Sequence, residues 1–243
     1  MADAVKENQK KTDMNYHRYE DYLVSEKQFR NIFLKRVNLI LSYHPRGGTC
    51  LEIGCSIGTM LDILEEKGCE TWGVEPSGSA DSAKSKGHRV IRDVFEKADL
   101  PNNYFDLVVM NHTLEHMDNP SEVLDKIHNL LKPKGLLFID VPNFGSLGQK
   151  ILGRHWPYLL PNEHKHQFTK DSLSELLQKA GFKIIHRESR SGLFEYANPF
   201  LELWQGLSGL KKRFFTDTLT FPYALIATLL NVGDSLSIVG EKY

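Results

Sequence analysis

Three residues between positions 112 and 116 could carry out acid–base or metal chemistry. The stretch H-T-L-E-H brings His112, Glu115 and His116 together, and as H-x-x-E-H it matches a zinc-peptidase pattern. Such a site needs both histidines on one face of a long helix. Here an apolar run ends just before the motif and Asn119-Pro120 follows it, which leaves room for one helical turn at most. The sequence therefore favours side chains that face a substrate over a zinc peptidase.

A loop with two glycines lies upstream, in the stretch L-E-I-G-C-S-I-G-T-M-L that starts at position 51. Gly54 and Gly58 follow an apolar run and precede a helical pattern, so backbone N–H groups there could face a polar ligand. Their spacing, G-x-x-x-G, differs from the G-x-G-x-x-G of dinucleotide-binding proteins. The loop therefore predicts a site for a polar ligand and weakens the case for NAD.

Three acidic residues end three successive predicted strands: Glu52, Glu75 and Asp93. Glu52 can attract an amino group or a cation. Glu75, which lies 21 residues beyond Gly54, is placed to accept hydrogen bonds from a ribose diol. Asp93 can meet the exocyclic amine of a base. Because the carboxyl ends of parallel strands meet at one edge of a sheet, these acids predict a nucleoside with a cationic tail as the ligand.

The elements that must position these residues alternate along the chain. Short apolar runs predict strands at 49–54, 70–75, 88–94, 105–111, 136–141, 182–188 and 234–242, with amphipathic helices between most of them. This pattern is typical of parallel strands covered on both faces, so we expect an α/β, Rossmann-like fold. We predict a disordered tail at 1–14 and a single domain at 15–243, with an N-terminal helix within 15–44 and insertions at 142–168 and 191–232.

Composition narrows the classes of partner. Lys and Arg total 30 against 31 Asp and Glu, so the net charge of −1 gives no overall attraction to nucleic acid or anionic lipid. The three cysteines, at 50, 55 and 69, give no disulfide framework, which favours a cytoplasmic location. The apolar window 219–232 contains Pro222 and is shorter than the ~20 residues of a spanning helix. We predict a buried or dimer-facing helix there, with peripheral membrane contact as the alternative.

Several motifs, taken in order, resemble those of the class I S-adenosylmethionine-dependent methyltransferases, and within them the ubiquinone-biosynthesis O-methyltransferase branch. They are L-E-I-G-C-S-I-G, W-G-V-E-P-S, R-D-V-F-E, F-D-L-V-V-M-N-H-T-L-E-H-M-D-N-P and L-L-K-P-K-G-L-L-F-I-D-V-P-N. The resemblance covers residues 16–182. It implies a seven-stranded sheet whose last strand is antiparallel, with S-adenosylmethionine as cofactor and S-adenosylhomocysteine as product.

The resemblance also implies roles for residues at matching positions. Glu52 would lie beside the loop that holds the methionine portion of the cofactor. The residues that would contact the cofactor are Gly54, Cys55 and Gly58 for the methionine portion, Glu75 for the ribose, and Asp93 and Val94 for the adenine, while Asn111 would close the pocket.

Related ubiquinone-pathway enzymes use E-x-x-E-H for a divalent cation, and here His112 stands where the first acid would be. Magnesium prefers oxygen ligands, whereas a mixed set with Glu115 and His116 would suit zinc better. We predict that no metal binds and that one imidazole acts as the general base, with His116, His112 and His164 as candidates in that order. Glu115 and His116 could alternatively do no more than hydrogen-bond a neighbouring loop.

The first insertion carries residues that could contact a methyl acceptor. Trp156 and Tyr158 offer an aromatic wall, and Glu163 precedes His164 in the polar run N-E-H-K-H. From the N-terminal side, Tyr16 and Tyr22 could close the same pocket. A packed aromatic cluster and a polar surface loop remain the alternative interpretations.

We therefore expect an enzyme that methylates a hydroxyl of a small molecule or of a glycan- or lipid-linked intermediate. The alternatives are an N-methyltransferase and a non-catalytic S-adenosylmethionine-binding module that holds a partner protein. A small-molecule acceptor is expected as the partner and nucleic acid is not, while the apolar window 219–232 makes a homodimer an open alternative.

Overall fold

The computed structural model describes residues 26–43, 47–208 and 212–243. Its strands are β1 Thr49–Ile53, β2 Glu70–Val74, β3 Arg89–Ile91, β4 Phe105–Asn111, β5 Leu131–Pro142, β6 Phe182–Arg190 and β7 Ser235–Lys242. They form one sheet in the order β3-β2-β1-β4-β5-β7-β6. Strand β7 lies between β5 and β6 and is antiparallel to both, while the other neighbours pair in parallel.

The described helices are α1 Glu26–Leu41, α2 Thr59–Glu66, α3 Ser79–Ser85, α4 Pro120–Leu130, α5 Leu147–Leu152, α6 Lys170–Lys179, α7 Pro199–Ser208 and α8 Lys212–Leu229. Three short 3-10 turns accompany them, at Leu114–His116, Gly153–His155 and Gly192–Glu195. Local sequence explains several boundaries: Pro120 opens α4 at a position that needs no N–H donor, and Thr169 caps α6 in a capping box with Ser172.

Side chains that alternate along the strands create two cores, one on each face of the sheet. In β4, Val108 and Met110 point to the face that α4 and α6 cover, whereas Leu107 and Val109 point to the face that α1 and α2 cover. All four are fully buried. A sheet with helices on both faces leaves the carboxyl ends of its strands open at one edge.

The strand order places the functional edge. Strands β2 and β3 extend the sheet from one side of β1, and β4 and β5 extend it from the other. In open α/β sheets, the crevice beside such a reversal is where ligands bind. Here it lies at the carboxyl ends of β1 and β4, between residue 53 and residue 111.

The predicted α/β fold, including the seven strands and the antiparallel last strand, is confirmed. Three details differ from the expectation. Strand β5 begins at Leu131 rather than 136, the connection 142–168 contains α5, and the apolar window 219–232 forms part of α8 and leaves many side chains exposed. The predicted tail at 1–14 and the residues Tyr16 and Tyr22 lie outside the described residues.

Candidate functional site

The loop after β1 packs so closely on neighbouring segments that its two glycines have no room for a side chain. Gly54 has a φ of 79°, and a Cβ on it would lie 2.6 Å from the Thr113 hydroxyl oxygen. Gly58 has a φ of 81° and forms the N-cap of α2. Both conformations are in the region that glycine adopts without strain. Gly54 therefore lets the loop pack against Thr113, and Gly58 lets it pack against Ala83 and His88.

Several backbone N–H groups of this loop, which were expected to face a ligand, instead donate hydrogen bonds within the protein. Those of Gly54 and Cys55 donate to the Val74 carbonyl oxygen, and that of Ser56 donates to the Glu75 carboxylate at 3.0 Å. These donors are used inside the protein because the loop folds back on β2. A ligand at the loop therefore cannot use these three donors while the contacts to β2 and Glu75 are in place.

A small cavity opens beside the loop. Four buried polar atoms that face this region have no hydrogen-bond partner among the described residues: Glu52 Oε2, Ser56 Oγ, Thr59 Oγ1 and Asn111 Oδ1. All four residues line the cavity, together with Phe33, Gly54, Cys55 and Ile57. Buried polar groups are normally paired, so their concentration here indicates a site for a polar ligand. Sequence reasoning singled out Glu52 and Asn111 but missed Ser56 and Thr59.

Glu52 is the charged group of this cavity. Its side chain is buried in β1, and burial, with the nearby charges of Glu75 and Asp62 as lesser causes, raises its pKa from 4.5 to about 8. A cation placed in the cavity would favour the ionised carboxylate and so lower this pKa. Glu52 is therefore suited to bind an ammonium group and to release a proton when it does so.

Glu75 follows β2 as predicted, but its carboxylate is fully buried. One oxygen accepts the Ser56 N–H at 3.0 Å and the other accepts the Ser77 N–H at 2.9 Å. Glu75 thus fixes the loop after β1 to the loop after β2. A carboxylate oxygen has a second lone pair, so the assignment of Glu75 to the ribose stays a prediction.

The remaining residues assigned to the cofactor lie at the same edge. Asp93 and Val94 follow β3 and are exposed, and the Asp93 carboxylate accepts the Val94 N–H at 2.7 Å. Cys55 is buried in the cavity wall, where burial above all raises the pKa of its thiol. Its sulfur lies 2.6 Å from where a Cβ on Gly73 would be. Cys55 therefore contributes shape rather than charge.

His112 sits between two carboxylates directly after β4. Its Nδ1 lies 3.3 Å from a Glu115 oxygen and its Nε2 lies 3.4 Å from an Asp140 oxygen. The backbone supports this placement, since His112 has a φ of 52° and its N–H donates to the Asp140 carbonyl at 2.8 Å. A non-glycine residue with this φ is strained. This strained backbone conformation places the imidazole between Glu115 and Asp140.

A buried ionic network that sequence reasoning missed lies behind His112. Asp140, on β5, accepts hydrogen bonds from Arg36 of α1 at 2.9 Å and from the Ser235 hydroxyl at 2.8 Å. Although burial acts to raise the pKa of Asp140, the charges of Arg36, His112 and Arg190 hold it at about 2. The charged residue inside the apolar run L-L-F-I-D-V-P was the signal that could have pointed to Asp140.

Glu115, His116 and His164 form a second cluster of unpaired groups. Glu115 is buried, and neither of its carboxylate oxygens has a hydrogen-bond partner in the described part of the chain. The Nδ1 atoms of His116 and His164 lie 2.9 and 3.0 Å from the carbonyl oxygens of Glu163 and Tyr158. A carbonyl only accepts, so each Nδ1 carries a proton, and Nε2 is the atom of each ring that can gain or lose one. Burial also lowers the pKa of His164, which keeps it neutral at pH 7.

This cluster could hold a metal ion. Ligand atoms of Glu115, His116 and His164 all lie within 4.8 Å of one another, and imidazoles that donate Nδ1–H to a carbonyl are typical of metal ligands. Two imidazoles and one carboxylate suit a transition ion better than magnesium. The third candidate ligand is His164, from the first insertion, rather than His112. The prediction that no metal binds stays a prediction.

The residues assigned to the acceptor surround this cluster in different ways. Trp156 is buried, and its indole N–H donates to Asp234 at 2.8 Å. Tyr158 packs against it with ring centroids 5.4 Å apart. The Glu163 side chain is exposed, and its backbone carbonyl orients His116. Acceptor contacts by these three residues stay predictions; Trp156 would need to become accessible to make one.

A model of a protein family described as a methyltransferase domain matches residues 24–187. Among curated proteins, the chain is similar to a ubiquinone biosynthesis O-methyltransferase of Rhodopseudomonas palustris strain BisB5, with 26% identity over 168 residues, or 64% of each chain. It is also similar to the protein of that name from Pseudomonas paraeruginosa, with 28% identity over 63% of this chain and 71% of the relative. The chain thus matches just under two thirds of the length of the Rhodopseudomonas relative.

Solved structures share the fold. A S-adenosylmethionine-dependent methyltransferase of Archaeoglobus fulgidus matches with a TM-score of 0.61 and 22% identity, over 91% of this chain and 99% of that one. The phosphoethanolamine N-methyltransferase 2 of Haemonchus contortus, solved with S-adenosylmethionine, matches with a TM-score of 0.59 and 18% identity, over 85% of this chain and 51% of that one.

Proposed function

The chain belongs to the methyltransferase domain family, in which S-adenosylmethionine is the methyl donor, and we propose that it transfers this methyl group to a hydroxyl oxygen. The resemblance predicted from the sequence is thereby confirmed at the level of the family. The acceptor is a small molecule or a glycan- or lipid-linked intermediate. The three cysteines of the protein are free and buried, which supports a cytoplasmic location for the enzyme.

The cavity beside the loop after β1 carries the proposal for the donor. Unpaired Glu52 would bind the ammonium group of the methionine portion, while Ser56 and Thr59 offer hydroxyls to its carboxylate. Asn111 closes the cavity toward His112. With the methionine portion held this way, the sulfonium methyl would point toward the residues that follow β4.

Transfer of a methyl group from a sulfonium is an in-line displacement in which the acceptor oxygen attacks opposite the departing sulfur. Alignment of two bound reactants can lower the barrier by up to ~7–11 kcal/mol, so positioning is the larger effect. A general base adds about 10²–10⁴-fold. His116 and His164 support that role because each presents a free Nε2 beside the buried Glu115, and Glu115 would stabilise the imidazolium that forms.

A divalent ion held by Glu115, His116 and His164 would supply Lewis-acid activation of the acceptor hydroxyl. It would also occupy the lone pairs that a base needs, so the two roles exclude each other. Elemental analysis of the purified chain separates them. Much less than one equivalent of metal is expected for the base; one equivalent that is lost in His164→Ala would reassign the cluster.

The proposal is tested first by calorimetry with S-adenosylmethionine and S-adenosylhomocysteine, with NAD as the negative control. We expect both nucleosides to bind, and we expect the Glu52→Gln substitution to lower the affinity for each of them. Glu70→Gln, which changes an exposed acid of β2, serves as the matched control. Equal binding to NAD, or no binding of either nucleoside, would refute the assignment of the cavity.

The class of acceptor atom is tested with labelled methyl donor and a panel of phenols, sugars and amines. A hydroxyl acceptor predicts a rate that falls about 10²–10⁴-fold in the variant that lacks the base. Transfer of the label to amines, at a rate that does not change when His116 or His164 is replaced, would point to N-methylation. Binding of the donor without turnover on any acceptor would point to a non-catalytic module.

A further inference from the structure

The second insertion builds a pair of helices whose inner side is well packed. Helices α7 and α8 contact each other and the 3-10 turn Gly192–Glu195. Ala224 and Ala227 of α8 are buried. Glu202 of α7 is buried as well and accepts a hydrogen bond from Asn31 of α1 at 2.7 Å. The inner side of the pair is therefore fixed to the body of the protein.

The outer side is strongly apolar and faces solvent. We define the outer apolar face by Phe200, Trp204, Phe215, Leu219, Ile226 and Leu229, which are all exposed. Spacings of three, four and seven residues place each helix's members on one side of that helix. Phe200 is 81% exposed, Leu219 83% and Leu229 74%. Exposed apolar side chains that together form a large patch mark a surface that binds a partner or a membrane.

The size of this face sets it apart from ordinary surface. Phe200, Trp204 and Phe215 are 81%, 68% and 60% exposed. At roughly 150–250 Å² for a whole aromatic side chain, these three alone expose roughly 300–500 Å². That sum is comparable with the area of the largest apolar patch on a typical monomer, roughly 300–600 Å², before the aliphatic residues are added.

We propose that the outer apolar face inserts into the interface of a membrane that contains anionic lipids. The charge of the segment fits such a surface. Among residues 199–230 the only acids in the sequence are Glu202, which is buried, and Asp217, whereas the run Lys211-Lys212-Arg213 is basic and includes the first two residues of α8. Apolar and aromatic residues beside basic ones are typical of helices that lie in the membrane interface.

A neighbouring element extends the face with the same chemistry. Helix α5 is joined to the end of α8 by a hydrogen bond from the Leu147 N–H to the Val232 carbonyl at 2.8 Å. Its exposed residues are Lys150, Ile151 and Leu152. A second copy of the chain fits less well, because a symmetric contact would bring the same basic segment against itself.

Helix α8, which carries part of the outer apolar face, is linked to the first insertion through Asp234. Tyr223 of α8 donates a hydrogen bond to Asp234 at 2.6 Å, and Trp156 of the first insertion donates to the same carboxylate. Phe221 of α8 packs on Phe194, with ring centroids 5.9 Å apart. If the proposed function holds, an acceptor anchored in the membrane would reach the site from this side. No helix among the described residues is long and apolar enough to cross a membrane, so attachment is peripheral.

The test is flotation of the full chain with vesicles of phosphatidylcholine alone or with 30% phosphatidylglycerol. We expect binding to the anionic vesicles, weaker binding to the neutral ones, and release as salt is raised. Trp204→Gln and Leu219→Gln should each lower the partition coefficient about tenfold, because each removes an apolar side chain from the interface. Tyr243→Ser is the matched control, since Tyr243 is 78% exposed and lies at the opposite edge of the sheet.

Fluorescence and light scattering complete the test. Because the chain has three tryptophans, its emission is compared with that of Trp204→Gln; the part of the emission lost in the variant should shift to the blue and resist quenching when vesicles are added. Absence of flotation with both vesicle types would overturn the proposal, and so would equal flotation of the two variants and the parent. A lipid-free dimer that Leu219→Gln dissociates would assign the face to a second copy instead. None of these measurements needs a methyl acceptor, so their outcome tests the membrane proposal independently of the proposed methyl transfer.

Discussion

Binding of S-adenosylmethionine should release close to one proton per chain at pH 7, and Glu52 should be its source. The pKa of this carboxyl is raised to about 8 in the ligand-free protein, so about nine tenths of the chains carry it protonated at pH 7. An ammonium group bound beside it requires the ionised form. Removing the proton costs about 1.4 kcal/mol at one pH unit below the pKa, which corresponds to a tenfold loss of affinity.

Affinity should therefore rise about eight- to tenfold between pH 6 and pH 7, where an α-amino group with a pKa of about 7.7–8.0 is still mostly charged. Calorimetry in two buffers with different ionisation enthalpies gives the number of protons directly. Glu52→Gln should bind more weakly and release almost none, and Glu70→Gln should behave as the parent does. A proton count near zero for the parent, with affinity independent of pH, would refute the assignment of Glu52 to the ammonium group.

The same carboxyl should make the ligand-free protein less stable at high pH. The unfolded chain ionises Glu52 near its ordinary pKa of 4.5, whereas the folded chain keeps it neutral up to about 8. Stability is thus lost as pH rises through that window, by up to about 4 kcal/mol at pH 8. Thermal unfolding at pH 5 and pH 8 should show Glu52→Gln gaining stability over the parent at pH 8 only. An equal gain at both values would mean that the cost is not ionic.

Three further outcomes are expected. Arg36→Met leaves Asp140 buried without its cation and should lower the free energy of unfolding by about 3–5 kcal/mol. Arg30→Met, which breaks an exposed pair of the same helix, should lower it by only about 0–1 kcal/mol. Urea unfolding measures both changes. His116→Ala should reduce kcat about 10²–10⁴-fold with little change in donor affinity, whereas His155→Ala, an exposed histidine, should not. Gly54→Ala should cost about 1–3 kcal/mol in strain and abolish donor binding, as thermal shift with and without S-adenosylhomocysteine would show.

The sheet and the edge that carries the site were predictable from local signals. Each strand is a short apolar run and each neighbouring helix has an apolar stripe, so period and length identified them. The positions of Glu52 and Asn111 at strand ends then followed, because parallel strands bring their carboxyl ends together. Both residues line the cavity.

What could not be predicted depends on contacts between distant segments. The pairing of Arg36 with Asp140 joins residues that are 104 positions apart, and no periodicity encodes it. His164 meets Glu115 and His116 only because the first insertion folds back over β4. Three N–H groups of the glycine loop, those of Gly54, Cys55 and Ser56, are used inside the protein for the same reason, since their acceptors lie on β2 and in the loop after it.

The position of β7 has a consequence for how the protein is made. This strand is the last element described, yet it lies between β5 and β6 in the sheet. During synthesis β5 and β6 each present an unpaired edge until Ser235–Lys242 has left the ribosome. Exposed strand edges recruit other strands and favour aggregation. Production of the protein should therefore benefit from chaperones that cover these edges until β7 has been made.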